Sequence, residues 1–379
     1  MTDTLPPTMT PPHARPQRPV QTWVAPPARP GHAARRDATV RSTSLALLWG
    51  SLLWLVFLWV REGGVQDLGG WESGLLSTGR LTGLVASDLL LLQVLMMARV
   101  PALERAWGQD RLAVLHRLVG FTSFNLMLAH VGLITWGYAA GQLQRTPGEI
   151  WDLTWNYPGM LLGVAGSLCL VMVVVTSIRA ARRRLRYEAW HLLHLYAYLG
   201  AGLALPHQLW TGQEFRRSAA STVFWWTLWI AAAGSVLLWR VALPLARTWR
   251  HDLRVTAVVP ETADTFSVYL RGRRLDRLGV QAGQFLSWRF PGRPGWTRAN
   301  PFSLSAAPDG QHLRITVKDL GDGSRSLRTL TPGTRALVEG PFGRLTERPR
   351  TQRKLLFVGA GVGITPLRAL AEGLAYGPG

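Results

Sequence analysis

Four histidines buried in long apolar stretches limit what this chain can be. His116 and His130 lie fourteen positions apart within Leu112 to Tyr138, and His194 and His207 lie thirteen apart within another apolar run. An imidazole is costly in a lipid-spanning helix and marks a functional site there by default. Fourteen residues at helical rise span about 21 Å, inside a hydrocarbon core of about 30 Å, so each helix carries one histidine toward each leaflet. Fourteen steps also bring His130 back to within roughly 40° of the His116 face, so both rings can address one partner helix. Two such helices side by side give two facing imidazole pairs at two depths, the arrangement that two stacked b-type haems with bis-histidine ligation need. In a straight helix His207 stands roughly 140° from the His194 face. Pro206 removes a backbone donor just before it and can re-aim the ring. His191, one turn before His194, is the rival at the inner position; the depth of His194 matches His116 better.

Six apolar runs reach spanning length: Ser44 to Val60, Leu75 to Ala98, Leu112 to Tyr138, Gly159 to Ile178, Ala189 to Trp210 and Val223 to Ala246. Tryptophans such as Trp49, Trp59, Trp136 and Trp239 fall near their ends, as interfacial anchors do. Arginines cluster on one side: in the N-terminal segment, at Arg99, Arg105 and Arg111, from Arg179 to Arg186, and at Arg247 and Arg250. By the positive-inside rule both termini are cytoplasmic, in a multi-pass cell-membrane protein. His116 and His194 then lie toward the cytoplasm and His130 and His207 toward the outside. Arg80 and Arg117 are candidate partners for haem propionates, although snorkelling to the interface explains each as well. The net charge of +20 raises nucleic-acid binding, but the excess sits beside the spans, where topology and lipid head groups account for it. Membrane lipid is thus a partner and nucleic acid is not. Residues 1–41, rich in Pro, Ala and Arg, read as a disordered tail. The single cysteine, Cys169, excludes an intramolecular disulfide.

Beyond His251 the texture changes. Alternating segments at Leu253 to Val259, Thr265 to Leu270, Gln284 to Phe290 and Leu313 to Val317, punctuated by Gly and Pro, predict a small antiparallel barrel over 249–350. Leu355 to Gly359 reads as a short buried strand, followed by Gly359-Ala360-Gly361-Val362-Gly363-Ile364-Thr365-Pro366 and an apolar helix. Strand, glycine turn and helix N-terminus would aim backbone N–H groups at a phosphate.

Asn300-Pro301-Phe302-Ser303-Leu304-Ser305, then Gly321-Asp322-Gly323-Ser324, then Gly340-Pro341-Phe342-Gly343, then the glycine turn, follow the order of ferredoxin-reductase-type flavoproteins. With six spans and paired histidines, the chain resembles the ferric reductase and NADPH oxidase superfamily from Ser44 onward. The resemblance implies a six-helix transmembrane haem bundle over 42–248, an FAD-binding β-barrel over 249–350 and the start of an α/β NAD(P)H-binding domain over 351–379. It places Phe302 by the isoalloxazine, and Ser303, with Pro301 and Ser305 around it, on the flavin. Asn300 stands where Arg or His is usual and brings no charge. Gly321 and Ser324 fall at the pyrophosphate turn. Gly359, Gly361, Gly363, Thr365 and Pro366 fall at the nicotinamide-nucleotide turn.

A parallel layer cannot close on one strand and one helix, so this last domain is expected to be incomplete. The implied function is transmembrane electron transfer from NAD(P)H through FAD and two b-type haems to a ferric chelate or dioxygen outside. One alternative is a haem membrane subunit serving a quinone or a periplasmic partner enzyme. A basic membrane-anchored binding protein without cofactors is the alternative from another class.

Overall fold

The computed structural model describes residues 32–212, 215, 218–293, 295–348, 350 and 354–374. Most of the predicted tail therefore lies outside the described residues, but helix α1 (His32–Arg61) already opens inside it, because the Ala- and Arg-rich sequence there holds no helix breaker. The chain continues through α2 (Trp71–Met97), α3 (Pro101–Trp107), α4 (Gln109–Tyr138), α5 (Thr146–Asn156), α6 (Met160–Ser177), α7 (Arg179–Arg182), α8 (Tyr187–Trp210), α9 (Ala219–Val236) and α10 (Leu243–His251). Five stretches are long and apolar enough to cross a membrane: Ala34–Arg61, Trp71–Met97, Gln109–Tyr138, Met160–Ser177 and Ala219–His251. The expected sixth, α8, forms where it was predicted. It falls outside that set because Glu188, three histidines and Gln208 dilute its apolar character. Between α9 and α10, Leu237–Ala242 winds as a π-helix. Pro244 offers no N–H to the Arg240 carbonyl, and the backbone widens upstream of it.

The helices pack in pairs, α2 along α4 and α6 along α8, whereas α4 and α8 make little backbone contact. Small residues allow the close approaches: a Cβ on Gly79 would come within 2.9 Å of the Ile134 side chain, and one on Gly166 within 2.7 Å of the Gly200 carbonyl. Lipid gives no hydrophobic drive between helices, so such backbone proximity is what holds the pairs.

The second half has two three-stranded antiparallel sheets, ordered β1 (Arg254–Pro260), β2 (Thr265–Arg271), β5 (His312–Lys318) and β4 (Asn300–Ser303), β3 (Phe285–Arg289), β6 (Leu337–Phe342). Alternation decides the core: Leu313, Ile315 and Val317 of β5 point inward with Phe266, Val268 and Leu270 of β2, against Leu286 and Trp288 of β3. Each such fully buried side chain contributes about 1.5–3 kcal/mol. Single bridges at Leu304–Ile315 and Arg254–Arg335 join the sheets, where the sequence suggested a closed barrel ladder. A short helix, α11 (Asp322–Arg325), follows β5, and α12 (Ile364–Gly373) ends the described chain.

One expectation fails clearly. Leu355 to Gly359 is not a strand: no neighbour pairs with it among the described residues, and Leu356 and Val358 are 89 % and 82 % exposed. A strand without a ladder partner has nothing to satisfy its backbone. The helix after it is firmly seated, with Ala369 fully buried in the sheet core and Glu372 accepting the Ala307 N–H at 3.1 Å.

Candidate functional site

Antiparallel packing of α2 on α4 sets Gly83 opposite His130, where a Cβ would overlap the imidazole ring. The His130 Nδ1 lies 2.8 Å from the Gly79 carbonyl. That contact fixes the protonated nitrogen and leaves Nε2 free to ligate. On the other pair, a Cβ on Gly163 would stand 3.2 Å from His207 Nδ1, and a Cβ on Gly159, whose φ is +80°, would come within 2.8 Å of the His207 backbone N. Only glycine permits both that dihedral and that approach. The helix α8 runs unbroken through Pro206, and His207 nevertheless lies within electrostatic range of His130.

At the other level the rings of His116 and His194 are 6.0 Å apart between centroids. The Ser177 hydroxyl is 3.3 Å from His194 Nδ1, and Trp190 lies against the same ring at 5.1 Å while its indole N–H donates to Ser177. His191 is exposed and faces Arg240, Arg289 and Glu339 instead, so His194 is the partner of His116. The Nδ1 atoms of His116 and His207 are buried without a hydrogen-bond partner among the described residues. Among the described residues no three His, Cys, Asp or Glu side chains gather into a metal centre. Two imidazoles per level suit a metal that arrives with four equatorial nitrogens of its own, which is haem. Arg80 is paired with Asp67 at 2.6 Å, and Arg117 is exposed.

The sheet domain docks under this bundle. Arg99 of the α2–α3 connection lies 4.2 Å over the Phe342 ring, Arg247 of α10 donates to the Gly340 carbonyl, Glu188 of α8 pairs with Arg298 at 3.1 Å, and Asp37 of α1 with Arg348 at 3.4 Å.

Within that domain the predicted flavin motifs converge on β5. The Leu304–Ile315 bridge lays the end of β4 against it, the Gly321 turn follows it, and the Gly361–Gly363 turn touches it. The side chains divide, however. Phe302 packs on the core and Ser303 is half-buried, with Pro301 exposed. Asn300 spends its amide on the Trp288 and Arg298 carbonyls. Ser305 is buried and accepts from Arg314 at 3.1 Å, so it serves the sheet–α12 junction and not an open surface. The Ser324 hydroxyl accepts from Leu320 N–H at 2.8 Å and donates to the Gly321 carbonyl at 2.9 Å, closing the turn on itself. Gly321 has φ 138° and ψ −178°, a conformation essentially reserved for glycine. The Arg325 guanidinium, 3.0 Å from Asp319, clasps this turn and holds the carboxyl below its ordinary range. Gly359, Gly361 and Gly363 are exposed, Thr365 donates to the Val362 carbonyl at 2.8 Å, and Pro366 lies in the first turn of α12.

One basic residue escaped the sequence reading. Arg298 reaches from Glu188 to the Gly321 turn, and its Nη1 is 3.2 Å from where a Gly323 Cβ would be. The motif draws attention to position 300; a cation two residues earlier was the available signal.

Residues 82–205 match the family described as ferric reductase like transmembrane component, a span that holds His116, His130 and His194 and stops two residues before His207. A flavohemoprotein of Candida albicans is 34 % identical over 33 % of this chain and 34 % of its own. NADPH oxidase 1 of Mus musculus is 22 % identical over 57 % of this chain and 41 % of its own. Among solved structures, a ferredoxin reductase in carbazole 1,9a-dioxygenase is 30 % identical over 32 % of this chain and 38 % of its own, with a TM-score of 0.28. The chain spans less than half the length of these relatives. A stretch that matches the ferric reductase type of membrane unit, followed in one chain by a stretch similar to a flavohemoprotein, gives this protein the order of parts of the ferric reductase and NADPH oxidase superfamily, which it resembles.

Proposed function

We propose that this protein moves electrons across a membrane, from NAD(P)H through FAD on the cytoplasmic side and two b-type haems to an acceptor outside, a ferric chelate or dioxygen. The observation that carries the proposal is the paired placement of His116 with His194, 6.0 Å apart between ring centroids, with His130 and His207 about 20 Å along the same helices. Bound haem supplies a one-electron carrier at each level, and flavin converts hydride transfer into single-electron steps. The residues hold and aim. Gly79 and Ser177 orient His130 and His194, so that each offers its free nitrogen inward. Gly83 and Gly163 keep the ring faces clear. In this reading α8 is the sixth span, with His194 and His207 turned toward the bundle, and the two sheets form the FAD-binding barrel.

Arg298 supplies the positive charge that Asn300 lacks, beside the turn where the flavin pyrophosphate lies. Phe302 and Ser303 line the isoalloxazine side. The arginine contacts from α1, α2, α8 and α10 fix the flavin domain against the inner haem level, which sets the transfer distance.

The test is an absorbance spectrum of the detergent-purified protein, oxidised and then dithionite-reduced, with haem and FAD quantified. Six-coordinate b-type bands with about two haems per FAD are expected; protein without haem would sink the proposal.

A further inference from the structure

α2 carries a carboxyl that electron transfer as described does not use. Asp88 is fully buried at mid-span. Five residues before it Gly83 faces His130, and five after it Gln93 faces Gly120 beside His116, so Asp88 lies about 7.5 Å of helical rise from each histidine level. Its own face points the other way, toward α1, where Ser51 donates to Oδ2 at 2.9 Å. Oδ1 has no partner.

Among the described residues no charge compensates it. Between Ser42 and Val60 α1 has no ionisable side chain, and α9 from Ala219 to Val236 has none. On α4 the titratable or charged groups at membrane depth are His116, Arg117 and His130, and on α8 they are His194 and His207, with the tyrosines Tyr196 and Tyr198. None of these pairs with Asp88. An ionised carboxylate so placed is strongly disfavoured unless a positive charge lies within range. The iron–porphyrin core of a ferric bis-imidazole haem carries one positive charge, its propionates apart, and that of the ferrous form none, so the stability of the carboxylate would depend on the redox state of its neighbours.

Resting on the haem reading above, we propose that Asp88 is a redox-linked proton-binding site: as an electron enters the adjacent haem level, the Asp88 carboxylate takes up a proton. The balance is one electron delivered by the reduced flavin, or by dithionite in vitro, and one proton from water, which forms the O–H bond on Oδ1. The apolar interior then gains no net charge. Ser51 is the way in, because it hydrogen-bonds Asp88 and lines a groove of about 650 Å³ between α1 and α9, with Ala46, Gly50, Trp54, Ala220 and Phe224 among others. By reciprocity, proton uptake at Asp88 makes the haems easier to reduce as pH falls.

The experiment is a redox titration of the haem-loaded full chain across pH, with reduced-minus-oxidised infrared spectra in H₂O and D₂O. The wild type should show haem midpoint potentials that fall as pH rises, and a protonated-carboxyl band that grows on reduction and shifts in D₂O. Asp88→Asn, with haem content unchanged, should lose that band and flatten the pH dependence. Ser51→Ala, which keeps the carboxyl but removes the bond favouring its charged form, should move the transition to higher pH and displace the band. These two readings cover the case in which Asp88→Asn fails to assemble. Haem-loaded wild type with no such band, or either variant matching wild type in both readouts, overturns the inference and leaves the haem assignment standing. A chain that binds no haem overturns both.

Discussion

The membrane bundle and the sheet domain carry chemistry in different ways. In the bundle, side chains at helical spacing meet across packed elements, and position in the sequence maps directly to depth and face. In the sheet domain the motif residues lie on turns, where a hydroxyl can close its own loop as readily as face a ligand. His116 and His194 meet as spacing requires. Ser324 and Ser305, chosen by motif order, bond to their own turn and to Arg314. A helix histidine is therefore better evidence of a ligand site than a turn serine.

The largest effects test the bundle. His116→Ala and His130→Ala should each remove about one haem of two, because each deletes one member of an imidazole pair. Haem assay by pyridine haemochrome decides this, and full retention in both variants would erase the contrast between the halves. His191→Ala should leave haem content unchanged, since that ring is exposed and turned toward Arg240 and Glu339.

A substitution away from any ligand sharpens the same point. Gly83→Leu places a side chain where the His130 ring lies, and Gly163→Leu does so at His207. Each should selectively lose the outer haem while the inner spectrum survives; equal loss of both would mean that the two levels are not independent.

In the sheet domain the effect should be smaller and sit on a residue outside the motif. Arg298→Ala should weaken FAD binding about tenfold, the usual scale for a hydrogen bond to a charged group, and leave riboflavin binding unchanged. Ser324→Ala should act by loosening the turn, lowering affinity for both ligands alike. If Ser324→Ala were selective for FAD and Arg298→Ala were not, the motif reading would be right and the geometric one wrong.

What was legible follows from which physics dominates locally. The strands β1, β2, β3 and β5 appear where alternation put them, since a half-buried sheet enforces period two. That His194 rather than His191 would face His116 was also readable, because depth along a helix is fixed by count. Leu355 to Val358 misled because an apolar run signals a strand only if a neighbour exists to pair with it. Arg298 was missed because its contacts join the β3–β4 connection, α8 and a turn after β5, so its charge two residues before the motif was in view but its neighbours were not.

The smallest effect concerns pH at the Gly321 turn. Arg325 holds the Asp319 carboxyl below its ordinary range, chiefly through their hydrogen bond. A carboxyl with a depressed folded-state value stabilises the fold fully above its unfolded value of about 3.9, and that contribution disappears as pH falls through the folded value. The pair is solvent-exposed, so salt screens it and the gain is slight. Asp319→Asn should lower the melting temperature of the sheet domain by a small amount that is constant from about pH 8 to 5 and shrinks below about pH 4. Raising the salt concentration should shrink it too. A difference that grew on acidification would mean that Asp319 stabilises the turn in its protonated form, contrary to the clasp with Arg325.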